Sequence, residues 1–550
     1  MAGKRPSGPP AKSGARGQGS GARGQGPRAG NRTPNPDQRP RNPRTVWLHP
    51  RWLLAALLGL YVIFSLLLFD PKPATFGDNA LYLILGKSLA AGTGYRDIYL
   101  PDAPAHTQYP PLFPLMLAGI TLICGGVNVL ASKLFVVLTG LGAMFFIYRI
   151  CRLLFREKAW PLLFLFASLP ALVETNHWVL SEMPFMLLVF AALYCLVLAD
   201  AEPHRHAGWL ETVACFLAVA ACFVRTTGLV VLLGIALFFI LRRRYRGLII
   251  LVLLFAAAAV PWQLYAARTG HANPYLEQLL AKHPYLLEQG RAGISAWALR
   301  FWQNLRDYVA IVIPRLLCPT GRDSWVEYGC GIILSLLAAV GLVRGFRRLG
   351  PLSACAVFAA PVLISWPNVW VTERFLLPFL PLVAVFLFYG VQWLGTRFGR
   401  RRFVPVFVGV LVLANVVRMT GLARTAVKDN LGYLRGDRFS GYSPDWRRYF
   451  EAVDWVRKNT PPDAVVMARK PEFVFLLSGR RSFSYPLSED RARMKAAILR
   501  SQYVLVDAFR WTETTGYFLV PFLQENPGLW DGTFGTSPPE TYVLKVIPDG

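Results

Sequence analysis

The sequence has few acidic residues, few histidines and no cysteine motif. Its 32 Asp and Glu are outnumbered by 59 Lys and Arg, and it contains only 7 His. The eight cysteines include no C-x-x-C pair and no Cys/His spacing typical of a zinc site, so zinc is not indicated. Most of these cysteines lie in apolar runs, where a thiol acts as a small hydrophobe. Pairing of Cys318 with Cys330 stays open, since both lie in or beside a long polar loop.

The sequence also lacks the alternation of apolar and polar segments that one water-soluble core would need. Hydrophobic residues make up 54% of the chain, mean hydropathy is +0.37, and apolar runs recur from Trp52 to Met419. These features predict a polytopic α-helical membrane protein. The net charge of +27 could suggest a nucleic-acid partner, but much of it lies in an N-terminal tail and in short loops between apolar runs. Positive-inside topology explains that distribution better, so no nucleic acid is expected.

Residues 1–45 are rich in Gly, Pro, Arg and Ser and contain a single acid, Asp37. Such a segment cannot bury enough apolar surface to fold, so we expect a disordered basic tail in the cytoplasm. Contact of this tail with anionic lipid or RNA is the alternative interpretation.

The Arg-rich loops set the predicted topology. The apolar run from Leu112 to Cys124 has about 13 residues, whereas a helix needs roughly 20 to cross the hydrocarbon. We therefore treat it as a re-entrant or interfacial helix, and the Arg clusters at 149–158, 242–244, 344–348 and 400–402 then all fall inside. This gives about eleven spans in the cytoplasmic (inner) membrane, with the N-terminus inside and the C-terminus outside. The spans are 52–69, 129–150, 159–175, 183–199, 209–224, 226–241, 247–265, 328–343, 352–366, 375–394 and 403–419.

The first external loop, at about residues 70–110, carries a lone acid next to the membrane. Thr75 and Asp78 have the spacing of a helix N-cap box, which predicts a short helix with Asp78 in its first turn and Tyr82 on the same face. Gly92 and Gly94 are predicted stop signals for this helix. Asp78 is then either a capping acid or a catalytic group.

In the eleven-span topology, further charged residues fall at the same external membrane face as Asp78: Glu182, Arg225, Glu373 and Arg374. Each has a plain alternative: a helix N-terminal acid for Glu182, a snorkelling side chain for Arg225, and an ion pair for Glu373 with Arg374. Together they suit a reaction on a charged lipid. A carboxylate can accept the proton of an attacking hydroxyl, and an arginine fork can bind a departing phosphate.

These residues carry a resemblance to a known superfamily. The first external loop ending in Tyr109-Pro110-Pro111, the turn Ser181-Glu182-Met183-Pro184, the step Arg225-Thr226-Thr227-Gly228 and the segment Glu373-Arg374 resemble the GT-C superfamily of membrane glycosyltransferases. Within it, the chain is similar to bacterial relatives of the protein O-mannosyltransferases and of the aminoarabinose transferase that modifies lipid A. The similarity covers roughly Trp52 to Met419.

The resemblance implies transfer of a hexose or pentose from a polyprenyl-phosphate carrier to a lipid, glycan or protein acceptor outside the cytoplasmic membrane, by an inverting displacement. Asp78 matches the first-loop acid of the family and would be the base or the group that orients the acceptor, and Glu182 would support it. We assign the carrier phosphate and substrate to Arg225, Arg374, Glu373, Tyr82, Tyr109 and Lys87.

The chain departs from the protein O-mannosyltransferases at Asn79, where they typically carry Glu after the loop Asp, so a protein acceptor is in doubt. No cofactor is required by the sequence. A divalent metal is possible but not indicated, since His106 and His177 have no ligand partner at a recognisable spacing. A lipid-linked sugar flippase or transporter is the main alternative function, and a structural membrane protein is another.

We divide the chain into the tail, a GT-C-like transmembrane domain at 46–419 and a small extracytoplasmic α/β domain at 420–550. In the last of these, Tyr449 to Val456 predicts a helix ending before Pro461, and 490–500 a second helix. Strands are predicted at 464–468, 503–509 and 541–547. This domain would recognise the acceptor or give plain structural support. Residues 297–308 predict an amphipathic helix on the membrane surface.

Overall fold

The computed structural model describes residues 50–75, 78–201, 207–269, 274–286, 289–318, 324–370, 372–400 and 402–548. The basic tail predicted over residues 1–45 lies outside this part of the chain. The described residues are mostly helical, with five short strands near the C-terminus.

Eighteen α-helices precede the C-terminal domain in the described part of the chain. Those up to residue 268 are α1 (Pro50–Leu67), α2 (Asn79–Ala90), α3 (Leu112–Ile123), α4 (Val129–Phe155), α5 (Trp160–Ser168), α6 (Pro170–Glu174), α7 (Glu182–Ala201), α8 (Ala207–Val224), α9 (Gly228–Leu241) and α10 (Tyr245–Arg268). The others are α11 (Pro274–Leu280), α12 (Ile294–Asp307), α13 (Ile313–Leu317), α14 (Trp325–Leu349), α15 (Pro351–Ser365), α16 (Thr372–Leu376), α17 (Leu380–Arg397) and α18 (Phe403–Leu434).

Seven helical segments among the described residues are long and apolar enough to cross a membrane. They are Val129–Ser168, Glu182–Ala201, Ala207–Val224, Tyr245–Arg268, Trp325–Leu349, Glu373–Arg397 and Phe403–Leu434. The first of these is divided into α4 and α5 near Arg156, whose φ is 54°. Shorter apolar helices form at 52–67, 112–123, 228–241 and 351–365. The predicted multi-pass helical membrane protein is therefore confirmed, while the eleven-span topology stays a prediction.

Charged residues hold several helix ends together away from the first loop. The Arg242 guanidinium donates to Asp200 at 2.6 Å and to the carbonyl oxygen of Arg347 at 3.4 Å. Arg244 binds Asp200 at 3.0 Å and Glu211 at 2.7 Å. The Arg clusters at 242–244 and 347–348 thus lie at one common end of the helices, as positive-inside topology requires of loops on the same side.

Helix α2 differs from its predicted start. It begins at Asn79, so Asp78 stands at the N-cap position rather than in the first turn, and the Asp78 side chain makes no capping hydrogen bond. The N-cap box predicted from Thr75 is therefore wrong. The predicted stop is confirmed, because the helix ends at Ala90 and both Gly92 (φ 69°) and Gly94 (φ 88°) have the left-handed backbone that favours glycine.

The described cysteines, which are all eight of the chain, are free thiols, so the possible Cys318–Cys330 pair is not formed. The predicted helix at 297–308 is present as α12. It is tied to the end of α15, since the Asn304 amide donates to the carbonyl oxygens of Ile364 (2.9 Å) and Trp366 (2.7 Å).

The C-terminal domain is a five-stranded sheet with helices, in the spatial order β2-β1-β3-β5-β4. Strand β1 is parallel to β2 and β3, and β5 is antiparallel to β3 and β4. The helices are α19 (Pro444–Asn459), α20 (Pro471–Ser478), α21 (Arg491–Leu499) and α22 (Val520–Glu525), and the strands are β1 (Val465–Met467), β2 (Arg481–Phe483), β3 (Tyr503–Val506), β4 (Trp530–Gly535) and β5 (Tyr542–Val546). The two predicted helices and three predicted strands are confirmed, whereas β2 and β4 were not predicted.

This domain packs against the first loop. The backbone N–H of Ser482 donates to the carbonyl oxygen of Tyr99 at 2.7 Å, and the Arg481 guanidinium donates to that of Pro101 at 2.8 Å. The Lys87 ammonium of α2 lies 5.0 Å from the Phe475 ring centroid. Hydropathy changes after Met419, but α18 continues to Leu434 before the domain begins. The first loop and the C-terminal domain therefore lie on the same side of the helical region.

Candidate active site

Glu182 joins two arginines that are far apart in the sequence. It begins α7, and its side chain is fully buried. Its Oε1 atom accepts hydrogen bonds from Arg374 Nε at 2.5 Å and pairs with Arg225 Nη1 at 2.9 Å. Pro184 follows within the first turn of α7, where the missing N–H costs no helical hydrogen bond. Glu182 therefore connects α7, the turn after α8 and helix α16.

Asp78 meets the same cluster through Arg374. Its Oδ2 atom accepts from Arg374 Nη1 at 3.1 Å, and the Asp78 side chain is 34% exposed. One guanidinium thus bridges a buried and a partly exposed carboxylate. Asp78 is not the capping acid that the alternative interpretation assumed. The alternative ion pair between Glu373 and Arg374 is not formed either. Arg374 pairs with Glu182 and Asp78, and the carboxylate of Glu373 lies 3.9 Å from Arg315.

Tyr82 and Ser181 extend the cluster on the α2 side. The Tyr82 hydroxyl lies 3.2 Å from Ser181 Oγ, which also accepts from Arg225 Nη1 at 3.0 Å. The Tyr82 ring packs against Tyr109 and Phe113 at centroid distances of 5.0 and 4.9 Å. Burial raises the pKa of Tyr82 to about 12, so this hydroxyl keeps its proton at neutral pH. It is therefore a hydrogen-bonding group and not a base.

His106 fixes the position of Tyr109. Its Nδ1 lies 2.9 Å from Asp97, and the backbone N–H of Tyr109 donates to Nε2 at 3.0 Å. Since Nε2 accepts, the proton is assigned to Nδ1, which donates to Asp97. The Tyr95 hydroxyl also donates to the carbonyl oxygen of Tyr109 at 3.0 Å. His106 therefore ties two parts of the first loop together.

A cavity of about 590 Å³, here called the central cavity, opens beside this cluster. Five of the eight predicted site residues line it: Asp78, Tyr82, Tyr109, Arg225 and Arg374. Glu182 is buried behind the wall, and Glu373 and Lys87 do not line the cavity. The structure thus brings six predicted residues together and leaves two outside.

Sequence reasoning missed much of the wall, including amides and aromatic rings from distant elements. The missed residues are Gln108, Gln278, Tyr285, Trp366, Trp370, Phe375, Trp446, Lys470 and Trp511. The last three belong to the C-terminal domain, which closes one side of the cavity. No local spacing marks them, because an aromatic residue in a loop has the same sequence signature whether or not it faces a cavity. Thr75, Pro110, Thr226 and Thr227 also line the cavity, and these four lay within motifs already singled out.

The cavity combines one carboxylate, two guanidinium groups and the Lys470 ammonium with many aromatic rings. Such a wall suits a hydroxylated organic group, and the arginines suit an anion next to it. Among the described residues no three His, Cys, Asp or Glu side chains are grouped as metal ligands. The chemistry proposed below uses no metal.

The chain is similar to a known protein family and to several solved structures. The family described as dolichyl-phosphate-mannose-protein mannosyltransferase matches residues 108–265, a segment that includes Tyr109, Glu182 and Arg225. No curated protein matches the chain in sequence.

Solved structures match over most of the chain. The oligosaccharyltransferase of Archaeoglobus fulgidus, in complex with Zn and sulfate, is 14% identical with a TM-score of 0.56, and the match covers 89% of this chain and 73% of that one. ArnT from Cupriavidus metallidurans, bound to undecaprenyl phosphate, is 10% identical with a TM-score of 0.56, and the match covers 91% of this chain and 99% of that one. The archaeal enzyme AglB in complex with an inhibitory peptide and a dolichol-phosphate has a TM-score of 0.52 at 13% identity, with 90% and 74% covered.

Proposed function

We propose that this chain moves a sugar from a polyprenyl-phosphate carrier to an acceptor at the outer face of the cytoplasmic membrane. The chain has the fold of the GT-C glycosyltransferases, which confirms the resemblance predicted from the sequence. The observation that carries the proposal is the meeting of Asp78, Arg225 and Arg374 in one aromatic-lined cavity. The donor is a hexosyl or pentosyl phospholipid, and the acceptor is a lipid, glycan or protein.

The proposed step is a single displacement at the anomeric carbon. The acceptor oxygen attacks that carbon as Asp78 takes its proton, and the bond from the carbon to the phosphate oxygen breaks with its electron pair leaving on the phosphate. Attack from the face opposite the leaving group inverts the anomeric configuration. Asp78 suits the base because its carboxylate lines the cavity and is partly exposed, whereas Glu182 is fully buried.

The two arginines would bind the carrier phosphate and stabilise the charge that develops on it. In the structure Arg374 also holds Asp78 at 3.1 Å. A phosphate that binds Arg374 competes for this guanidinium and weakens its hold on Asp78. Carrier binding would thus leave the Asp78 carboxylate free to accept a hydrogen bond from the acceptor hydroxyl. Glu182 would act by positioning, because it holds both arginines through one oxygen.

Neighbouring apolar spaces beside the central cavity suit a lipid-linked donor. Thr227, Trp366 and Phe375 line both the central cavity and a narrow crevice. That crevice shares Ala359, Leu363 and Phe379 with an apolar groove of about 250 Å³ between α12, α14, α15 and α17. The phosphate would lie at the arginines and the prenyl chain would follow these spaces into the membrane-spanning region.

The test is sugar transfer by purified protein in liposomes, from a panel of labelled polyprenyl-phosphate sugars to total membrane extract. We expect Asp78→Asn to lower turnover by about 100-fold or more, the usual contribution of a general base, while carrier binding is retained. The matched control is Asp102→Asn, which removes an exposed acid of the same loop that pairs with Arg500 at 3.3 Å.

Transfer that survives in Asp78→Asn at the wild-type rate would reject Asp78 as the base. No transfer from any donor by the wild type, combined with movement of the lipid-linked sugar across the bilayer, would favour the flippase. Loss of transfer in both Asp78→Asn and Asp102→Asn would show a fault in folding and not in chemistry.

A further inference from the structure

Lys470 belongs to the C-terminal domain and lines the central cavity, but the proposed step does not use it. It is the N-cap residue of α20, and its carbonyl oxygen accepts from the Tyr449 hydroxyl at 2.8 Å. The same carbonyl oxygen accepts from the backbone N–H of Phe473 at 3.2 Å. The backbone of Lys470 is therefore fixed within its own domain.

The Lys470 ammonium lies beside an aromatic ring and forms no hydrogen bond or ion pair with the described residues. Its Nζ is 5.2 Å from the ring centroid of Trp511, which also lines the cavity and is 49% exposed. The Arg469 guanidinium contacts the same ring at 5.6 Å and donates to Thr514 at 2.9 Å. A cation–π contact at a partly exposed site is weaker than a charge-assisted hydrogen bond, so the ammonium can turn toward an anion in the cavity.

The charges around the central cavity leave one cation in excess. Among the described residues, the cations of its wall are Arg225, Arg374 and Lys470, and its carboxylate is Asp78. Glu182 behind the wall pairs with both arginines, and Asp78 pairs with Arg374. The two carboxylates thus offset the two arginines, and the charge of Lys470 remains. One negative charge on a ligand would complete the balance.

Two acids of the C-terminal domain do not supply that negative charge. Glu472 and Asp507 lie outside the cavity wall, and burial raises the pKa of both carboxyl groups. Asp507 accepts from the Thr515 hydroxyl at 2.9 Å and from the backbone N–H of Phe509 at 3.2 Å. Within the described ranges neither acid forms an ion pair with Lys470. The excess charge of the wall is therefore available to a ligand.

The lipid-linked donor carries the charge that the wall needs. Its sugar and prenyl chain are joined through a phosphodiester with a single negative charge, whereas a neutral acceptor brings none. An acceptor with its own anionic group would add a second negative charge beyond the balance. Transfer leaves the carrier phosphate as a monoester, which carries between one and two negative charges near neutral pH. A point charge on a flexible stem, such as the Lys470 ammonium, can follow this increase.

We propose that Lys470 is a third phosphate-binding residue, through which the C-terminal domain holds the carrier phosphate together with Arg225 and Arg374. This inference rests on the proposed function for the identity of the lipid. It gives the domain a part in donor binding, besides the acceptor recognition or structural support expected from the sequence. A bound donor would then bridge the membrane-spanning helices and the C-terminal domain.

The experiment measures lipid binding by the purified full chain in detergent. One probe is polyprenyl methyl phosphate, which has the single charge of the donor but no sugar, and the other is uncharged polyprenol. We expect Lys470→Met to weaken binding of the phosphate lipid about tenfold, through loss of one charge-assisted hydrogen bond, and to leave polyprenol binding unchanged. Lys470→Arg, which retains the positive charge, should restore most of the affinity for the phosphate lipid.

Lys458→Met is the matched control, because it removes an exposed lysine of the same domain that pairs with Asp454 at 2.7 Å. This variant should bind both lipids as the wild type does. The thermal unfolding midpoint separates binding from structure, since methionine keeps an apolar stem beside Trp511. We expect Lys470→Met to keep the wild-type midpoint. A lower midpoint with wild-type affinity would assign Lys470 to structure and overturn the inference.

Wild-type affinity of Lys470→Met for the phosphate lipid would overturn the inference, and a raised KM for an anionic acceptor alone would assign Lys470 to that acceptor instead. Equal loss of phosphate lipid and polyprenol would also overturn it, because charge would not be the cause. If the wild type transfers no sugar but binds the phosphate lipid through Lys470, the proposed transfer fails and the phosphate site stands. If transfer depends on Asp78 while Lys470→Met binds normally, only this inference fails.

Discussion

Glu182 shows how one buried carboxylate can organise a site that it does not face. It accepts from both Arg225 and Arg374 through Oε1, and it has no exposed surface. Two guanidinium groups held at one oxygen are kept close together in space. That proximity is what a phosphate with several charged oxygens needs, so in the proposed reaction the buried acid would position the carrier-phosphate site without touching the phosphate.

We expect Glu182→Gln to lower both stability and carrier affinity. The change leaves two largely buried arginines with one charged partner fewer, and breaking a buried pair typically costs about 3–5 kcal/mol. The measurements are the thermal unfolding midpoint and binding of polyprenyl phosphate to purified protein. The matched control is Glu157→Gln, whose side chain is 67% exposed. Wild-type stability and affinity in Glu182→Gln would show that the arginines are held by other contacts.

At the scale of elements, glycines allow two membrane helices to cross at backbone contact. A Cβ atom on Gly341 of α14 would lie 1.8 Å from the carbonyl oxygen of Phe386 in α17. One on Gly390 of α17 would lie 2.0 Å from that of Leu337 in α14. Small residues at such a crossing let the two helices associate through dispersion contacts. These contacts matter because helices that are already in lipid gain no hydrophobic free energy by packing together.

Gly341→Ala should therefore destabilise the protein. The backbone of α17 must move to admit the methyl group, and overpacking of this kind costs about 1–3 kcal/mol or more. The measurement is the thermal unfolding midpoint in detergent. Gly409→Ala is the matched control, because nothing lies within 4 Å of a Cβ at that helical position. Equal midpoints for the two variants would contradict a close α14–α17 contact.

Prediction from sequence was most successful for elements whose signal is local. The apolar helices, the end of α2 at Gly92 and Gly94, and α19 before Pro461 all follow from periodicity or from backbone preferences of a few neighbouring residues. The start of α2 was wrong because Asp78 has a stronger partner in Arg374, far along the chain, than in the neighbouring backbone N–H groups. Strands β2 and β4 were missed because short strands carry little pattern of their own.

At the scale of the whole molecule, the C-terminal domain and the first loop form one wall. Trp446, Lys470 and Trp511 line the central cavity opposite residues of the first loop, and Ser482 is hydrogen-bonded to Tyr99. The two parts must therefore face the same side of the membrane. The Arg clusters at 242–244 and 347–348 are grouped at the opposite end of the helices, where Arg242 contacts both Asp200 and Arg347.

Positive-inside topology then predicts that the C-terminal domain is external. Trypsin added to intact spheroplasts should cleave at exposed sites of this domain, such as Arg491, because external sites are reachable without lysis. Cleavage in lysed cells serves as the control for accessibility. Protection in spheroplasts combined with cleavage after lysis would overturn the eleven-span topology.

The sequence by itself determined the class of the molecule and the chemical types in its site. Long apolar runs require a membrane because no water-soluble core could hold them. Acids and arginines near the ends of the spans stand out as candidate site residues, because placing a charge at membrane depth is energetically costly. The tertiary structure decided which of these groups meet. The pairing of Arg374 with both Asp78 and Glu182 and the closing of the cavity by Trp446 and Trp511 join residues far apart in the chain. Such contacts depend on helix packing in three dimensions, which local spacing does not encode.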